Sequence, residues 1–433
     1  MRTAIWLVTR DLRVHDNPAL AAAARAAEHV VPLFVHDPAV PARANRRRFL
    51  DESLADLKTA LRERGADLVE LDGDPALEAI RVAKAVGAEG IGIAQDVSGF
   101  ARDRERRLAK ACATERIALK TFPGITIVPP DGVRPSTGGD HYKVFTPYWR
   151  AWQAQKWRDV ESAPHRLRLP EHLPKAWLRD RRAVPGLGVA AHGGETAARK
   201  RLTAWLRHLE VYDDIHDDLA ADRTSRLSPY LHFGCLSPRE LAARADGRPG
   251  AEPFVRQLCW RDFYHQVLLA FPQLRRKAYR ANAEESWRDE PHALQAWRDG
   301  LTGVPVVDAG MRQLLGEGWM HNRARLITAA YLTKHLNVDW RAGGDHFFDL
   351  LLDGDVANNY GNWQWVAGTG NDTKPYRRFN PVRQAERFDP QGDYVRRYLP
   401  ELADVPGKAV HQPWTLPEPR RRQLDYPAPL VTP

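Results

Sequence analysis

Cysteine is scarce in this 433-residue chain, which has only Cys112, Cys235 and Cys259. They are scattered and odd in number, and no two stand at C-x-x-C or metal-ligand spacing. That argues against a disulfide framework and a structural zinc site, and it fits a reducing compartment. Long hydrophobic runs are missing as well. The N-terminus, MRTAIWLVTRDLR, offers five apolar residues from Ala4 to Val8, too few for a secretory signal or a membrane span. No other window escapes charge for the roughly eighteen residues a span needs. A cytoplasmic protein without membrane contact is expected. No G-x-G-x-x-G follows the first strand-like run and no G-x-x-x-x-G-K-[ST] occurs anywhere, which disfavours dinucleotide binding in the usual Rossmann manner. Internal repeats and low-complexity tails are absent too.

Positive charge and tryptophan are plentiful. Lys and Arg outnumber Asp and Glu by 64 to 55, for a net charge of +9. The excess suits an anionic partner, nucleic acid first among them, although a merely arginine-rich surface fits equally well. Fourteen Trp exceed thirteen Phe and twelve Tyr, although each buried indole N–H needs a partner.

The first 130 residues alternate apolar runs with amphipathic stretches. The runs are AIWLVT (4–9), VVPLFVH (30–36), DLVELDG (67–73), GIGIAQD (90–96) and ITIVPP (125–130). Short apolar strands separated by helices predict a doubly wound, parallel, five-stranded α/β domain over 1–130. Residues 131–195, rich in Pro, Gly and Trp and punctuated by PPDGVRPSTGGDHY and AVPGLGVAAHGGE, read as a long connector with a few short helices. From 196 to 433 helical periodicity dominates, with turns expected at 246–253, 300–305 and 366–381.

Several constellations stand out in the helical part. In VRQLCWRDFYHQVLLAF, residues Cys259, Phe263, Val267 and Ala270 share a core-facing stripe. Gln257, Trp260 and Tyr264 share another that could face a ligand or simply be a helix edge. GWMHNRARLITAAYL (318–332) reads as a helix with Asn322, Arg325 and Leu326 on one face, and Asp353 or Asp355 could pair with its guanidinium. TSRLS (224–228) precedes a helix, where hydroxyls and amides can hold a phosphate or merely cap. DGDVANNYGNWQW (353–365) crowds carboxylates, amides and indoles together, which neither an ordinary loop nor an apolar core calls for.

Together, TSRLSPYL, WRDFY, GVPVVDAGMRQLLGEGWMHNRAR and DGDVANNYGNWQW resemble the photolyase–cryptochrome family. The likeness is specifically to the class I DNA photolyases that repair cyclobutane pyrimidine dimers, and it runs from RDLRVHDNPAL to RRYLPEL and YPAPLV. The resemblance implies FAD, active when reduced, in an all-helical C-terminal domain. It implies that Tyr212 and the segment Thr224, Ser225, Arg226, Leu227 and Ser228 hold the FAD phosphates. Asp353, Gly354 and Asp355 would touch the isoalloxazine and adenine side, with Arg325 paired to Asp353, and Asn359 would sit at the flavin's central nitrogen. Photolyases carry Asn at that place, plant cryptochromes usually Asp and animal cryptochromes usually Cys.

Trp363, Trp340 and a surface-exposed Trp287 would form the photoreduction chain. Trp260 and Trp365 would clamp a flipped-out dimer, with Gln257, Asn322 and Arg323 donating to it and with Arg261 and Tyr264 on the DNA side. Two positions depart from the class I pattern, Gln257 for Glu and Leu326 for Met. The (6-4) enzymes share the Gln, but they need histidines where this chain has Asn322 and Leu326. An antenna chromophore is expected between the domains near Arg10, Arg46 and Asp96. The stretch ANRRRFLDESLADL favours 8-hydroxy-5-deazaflavin over methenyltetrahydrofolate. The expected partner is UV-damaged DNA, with no metal, no protein partner and a monomeric state. The alternatives are a signalling cryptochrome and an electron-transfer flavoprotein. Against the first stands a chain that ends soon after RRYLPEL, where cryptochromes often add a long extension. Against the second stands the lack of a flavin motif in the first domain.

Overall fold

The computed structural model describes the chain except for residues 41–43, 137, 179, 181–190, 284 and 372–377. The first eight residues of the AVPGLGVAAHGGE punctuation (183–190) and part of the turn expected at 366–381 therefore lie outside the described residues.

Five strands, β1 (Thr3–Val8), β2 (His29–His36), β3 (Val69–Asp72), β4 (Gly90–Ala94) and β5 (Ala118–Phe122), form one parallel sheet in the order β3-β2-β1-β4-β5. They alternate with helices α1 (Pro18–Ala26), α2 (Ala44–Arg62), α3 (Pro75–Val86) and α4 (Gly99–Glu115). The central strands are buried on both faces, which is why they read as unbroken apolar runs. On one face Ile5, Leu7, Val31, Leu33, Ile91 and Ile93 pack with Ala79, Val82 and Val86 of α3 and with Leu108 and Cys112 of α4. On the other, Gly92 lets α1 lie close, since a Cβ there would stand 3.2 Å from the Phe122 ring and 3.8 Å from the Ala19 carbonyl oxygen. Local signals fix the helix ends. Asn17 and Asp74 accept the first free amides of α1 and α3, a proline follows each, and Gly87 closes α3 with φ 62°.

One strand differs from expectation. The apolar run at 125–130 is not a strand, and the fifth strand is the half-exposed ALKTF at 118–122. Pro129 and Pro130 cannot donate to a ladder. The amides of Ile127 and Val128 instead donate to the Asp262 carboxylate at 2.9 and 3.1 Å.

The remaining helices are α5 (Phe145–Gln153), α6 (Glu195–Trp205), α7 (Tyr212–Ile215), α8 (Ser228–Phe233), α9 (Pro238–Ala245), α10 (Ala251–Ala270), α11 (Pro291–Asp299), α12 (Pro305–Glu317), α13 (Asn322–Ala330), α14 (Trp340–Leu350), α15 (Val356–Ala367), α16 (Pro381–Phe388), α17 (Asp393–Tyr398) and α18 (Glu418–Arg421). A turn of π-helix over Tyr331–His335 extends α13. Packing groups the chain into two compact units. The first holds the described parts of 1–186 with 191–210 and 225–272, and the second holds 211–224 and 273–433.

These units cut the chain differently from the expected segments, and polar contacts tie the start of α6 and the end of α8 to the loop that follows β1. Glu195 accepts the amides of Val14 and His15, and Arg13 donates to the Gly234 carbonyl at 2.9 Å. No described helix is long and apolar enough to cross a membrane, no described cluster of His, Cys, Asp or Glu could hold a metal, and the three cysteines are buried and free.

Candidate functional site

In the second unit the 353–365 stretch becomes the end of one turn and most of α15, which runs on to Ala367. Asp355 caps that helix, its Oδ1 accepting the Asn358 amide at 2.9 Å and the Asn358 side chain at 2.8 Å. Asp353 receives both ends of the Arg325 fork at 3.1 and 2.9 Å, while Arg325 Nε donates to the Met320 carbonyl at 2.9 Å. Hence a nearly buried carboxylate is paired and hydrogen-bonded, the condition under which burial of charge is tolerated. Asn359 Nδ2 donates to the Gly344 carbonyl at 2.8 Å. That bond fixes the amide and leaves Oδ1 as a free acceptor among the described residues.

One turn further along α15, Trp363 is buried edge-on between Phe347 at 5.0 Å and Trp297 at 5.9 Å, with its ring against Gly343. Trp365 is half-buried, its ring 6.5 Å from Phe379. Trp340, the first residue of α14, is fully buried, with Nε1 donating to Glu285 at 3.3 Å and the Arg341 guanidinium 4.6 Å over its ring. Trp287 is not the exposed indole expected from the sequence. It is half-buried and its ring nitrogen is buried without a hydrogen-bond partner. The cause is the anchoring of its neighbours: Arg288 N donates to the Asn337 carbonyl and Asn337 Nδ2 to that of Ser286, both at 2.9 Å.

The helix expected over 318–332 starts at Asn322. Gly318 closes α12 in the left-handed conformation, φ 63°, and accepts the Leu352 amide at 2.8 Å, so 318–321 end one helix before the next begins. Asn322 is exposed, and no hydrogen bond among the described residues occupies its amide. Arg323, by contrast, already has partners. Its Nε and Nη2 donate to Asp217 at 3.2 and 2.5 Å and its guanidinium lies 4.3 Å over Phe388. As an expected donor to substrate it is largely spoken for. Leu326 is half-buried on the same helix.

His321 caps α13 through Nδ1, which accepts the Arg323 amide at 3.1 Å, so the ring is neutral with its proton on Nε2. Burial pushes its pKa down from 6.5 to about 4, against the pull of Asp217 and Asp222. A basic group depressed in the fold keeps its stabilising neutral form above 6.5 and loses that contribution as pH falls towards 4. Between pH 7 and 5 the native protein should therefore lose about 2 kcal/mol relative to His321→Asn, a variant that keeps a cap acceptor but does not titrate. Chemical denaturation at the two pH values checks this, and parallel curves would show that the histidine is charged in the fold.

Tyr212, the first residue of α7, is buried. Its ring lies 5.1 Å from His216, and burial beside Asp217 and Asp213 raises its phenol. Thr224 Oγ1 is buried without a hydrogen-bond partner. Asp222 and Arg226, on either side of it, have φ 48°, a strained setting for non-glycine residues. Ser225 accepts Arg201 Nε at its carbonyl at 2.7 Å, and its Oγ accepts the Leu227 amide at 3.4 Å. Ser228 is already the first turn of α8, which has no side-chain cap. The capping expected of 224–228 is thus not made at that helix.

The first unit carries α10. Of the stripe expected to face a ligand, Gln257 is exposed, Trp260 half-buried and Tyr264 buried. Trp260 is backed face to face by Phe145 of α5, centroids 3.6 Å apart and planes 4° apart, with the Arg256 guanidinium 5.5 Å from the Phe145 ring. Phe145 carried no signal in the sequence, because its meaning depends on a partner on another helix. Arg261, expected on the DNA side, turns inward and donates to the Ile125 carbonyl. Asp262 between them accepts Ile127 N, Val128 N and Trp152 Nε1, the last at 3.0 Å, and burial still raises its carboxyl to about 6.

At the sheet's carboxyl edge Arg10 and Asp96 follow β1 and β4, where the strand order reverses and such folds take ligands. The two pair at 3.2 Å, and Arg10 Nε also donates to the His232 carbonyl at 3.0 Å. Arg46 lies half-buried on α2.

Known proteins resemble this chain over its whole length. A family profile described as the FAD binding domain of DNA photolyase matches residues 254–433, and one described as DNA photolyase matches 3–169. A deoxyribodipyrimidine photo-lyase of Streptomyces griseus is 50% identical over 440 residues, 100% of this chain and 96% of that protein. Among solved structures, a class III photolyase from Agrobacterium tumefaciens superposes with a TM-score of 0.91 at 32% identity, covering 100% of this chain and 94% of that one. A cryptochrome from Synechocystis also gives 0.91, at 30% identity, covering 100% and 96%.

Proposed function

This chain belongs to the DNA photolyase family, and we propose that it repairs cyclobutane pyrimidine dimers in UV-damaged DNA under light, with FAD as its cofactor. The observation that carries the reading is α15, which sets the free Asn359 amide oxygen one turn from the buried Trp363 indole. The residues fit a flavin dinucleotide. The orphaned Thr224 hydroxyl is a donor that a phosphate oxygen would satisfy.

Tyr212, Thr224, Ser225, Arg226, Leu227 and Ser228 would hold the phosphates. Asp353, locked by Arg325, would hold the ring system together with Gly354 and Asp355, and Asn359 Oδ1 would accept from its central N–H. Bound and reduced, FAD would supply a light-driven electron that opens the cyclobutane ring and is afterwards recovered. Gln257 and Asn322, whose side-chain amides carry no hydrogen bond among the described residues, donate to the carbonyls of the lesion. Trp260 and Trp365 offer ring faces to the bases. Trp363, Trp340 and Trp287 conduct electrons inward. Arg10, Arg46 and Asp96 mark an antenna site for 8-hydroxy-5-deazaflavin. The protein acts as a cytoplasmic monomer in which 1–130 harvests light, 131–195 connects and 196–433 repairs.

The direct test is illumination of the purified protein with oligonucleotides carrying one cyclobutane dimer or one (6-4) product. Light-dependent restoration of the first alone is expected. Restoration of the second alone would overturn the substrate. Flavin photochemistry with neither lesion repaired would mark a signalling flavoprotein. Trp260→Ala should weaken binding to dimer-containing DNA by about 1–3 kcal/mol, the worth of one stacking platform, with little change for undamaged DNA. Equal losses for both would remove Trp260 from lesion recognition.

A further inference from the structure

Tyr360 follows Asn359 on α15 and is fully buried, yet its hydroxyl donates to Asp345 Oδ1 at 2.5 Å. That carboxylate is half-exposed, on α14, and it also takes the Arg275 guanidinium, Nε at 3.2 Å and Nη2 at 3.1 Å. Arg275 in turn lies 5.5 Å over the Tyr360 ring. The phenol is therefore dry, while its proton acceptor reaches water. Tyr360 also shares a wall with Trp363. A methyl group at Gly344 would stand 3.1 Å from Tyr360 Cδ1 and 3.6 Å from Trp363 Cδ1, so the two ring carbons are no farther apart than those two distances laid end to end.

We propose that Tyr360 and Asp345 form a redox-active pair that takes the oxidising equivalent from Trp363 by proton-coupled electron transfer. The proposal rests on the reading of Trp363 as the indole oxidised under light. In the step, the phenol gives one electron to the Trp363 radical cation and its proton to the Asp345 carboxylate. The indole returns to its neutral closed-shell form, the phenol becomes a neutral phenoxyl radical and the carboxylate becomes a carboxylic acid. Electron transfer alone would leave a positive charge on a buried phenol, which is costly. The short charge-assisted bond to Asp345 removes that charge as it forms. Arg275 and Asp349 are the other charged groups acting on the phenol, and Arg275 holds the carboxylate in place. The product pair carries no net charge, so no charged radical is left in the dry interior.

Flash photolysis of the FAD-loaded protein, followed by transient absorption and electron paramagnetic resonance, tests this. In the native protein an indole radical should give way to a phenoxyl radical, with a solvent deuterium isotope effect on that step. Tyr360→Phe, which keeps the ring packing, should lose the phenoxyl signal and prolong the indole radical. Asp345→Asn keeps a hydrogen-bond acceptor but no base, and should slow phenoxyl formation by about 100-fold or more. An indole radical with no phenoxyl successor, a phenoxyl signal that survives Tyr360→Phe, or an unchanged rate in Asp345→Asn each overturns the pair while leaving the Trp363 reading in place. Absence of any indole radical overturns both.

Discussion

Trp363→Phe should abolish light-driven reduction of the bound flavin and leave repair by chemically reduced protein nearly intact. The argument is one of position and packing. Trp363 is held in α15 by Gly343, Phe347 and Trp297, and a phenyl ring fits the same walls with less volume, so the fold survives. The change removes an oxidisable indole and nothing that binds DNA. Photoreduction measured by absorbance under blue light, beside dimer repair after dithionite reduction, separates the two roles. Normal photoreduction would show that the electrons travel elsewhere. Loss of both activities would show that Trp363 supports the binding site rather than a conduction path.

How much of this was legible depended on where each residue's partner lies. β1, β2 and β4 are buried on both faces, so their own residues announce them. β5 is an edge strand half in water, and ALKTF says little, whereas ITIVPP is apolar because it is buried under the helix bearing Asp262. The pairing of Arg325 with Asp353 could be foreseen, because a guanidinium in an apolar helix needs an acid and the nearest motif offered two. The tie between Arg323 and Asp217, the sheet of Phe145 behind Trp260 and the burial of Trp287 could not. Each depends on residues distant in sequence whose types are unremarkable by themselves. The start of α13 was misplaced because Gly318 reads as a helix interruption only once its left-handed conformation is seen. Tyr360 stood inside the quoted motif without a role until Asp345 was found opposite its hydroxyl.

Asp262→Ala should be the most damaging single change outside the flavin residues. The carboxylate is wholly buried and accepts three donors, Ile127 N, Val128 N and Trp152 Nε1. Alanine leaves all three in a dry interior, where each unsatisfied donor costs about 1–3 kcal/mol, so a loss of about 3–6 kcal/mol is expected. That is a large part of the ordinary stability of a domain, about 5–15 kcal/mol. The consequence reaches function through α5. Trp152 ties α5 to α10, and α5 carries Phe145, the ring that backs Trp260. Cutting the tie frees Phe145 and loosens the stacking surface even where the unit stays folded. Urea denaturation should show the lost stability. At low temperature, where the variant is still folded, lesion binding should fall while flavin content holds. Asp262→Asn, which keeps one acceptor oxygen, should fall between the two. An alanine variant as stable as the native protein would mean that the 125–128 segment finds other acceptors, and that the carboxylate is not what holds it against α10.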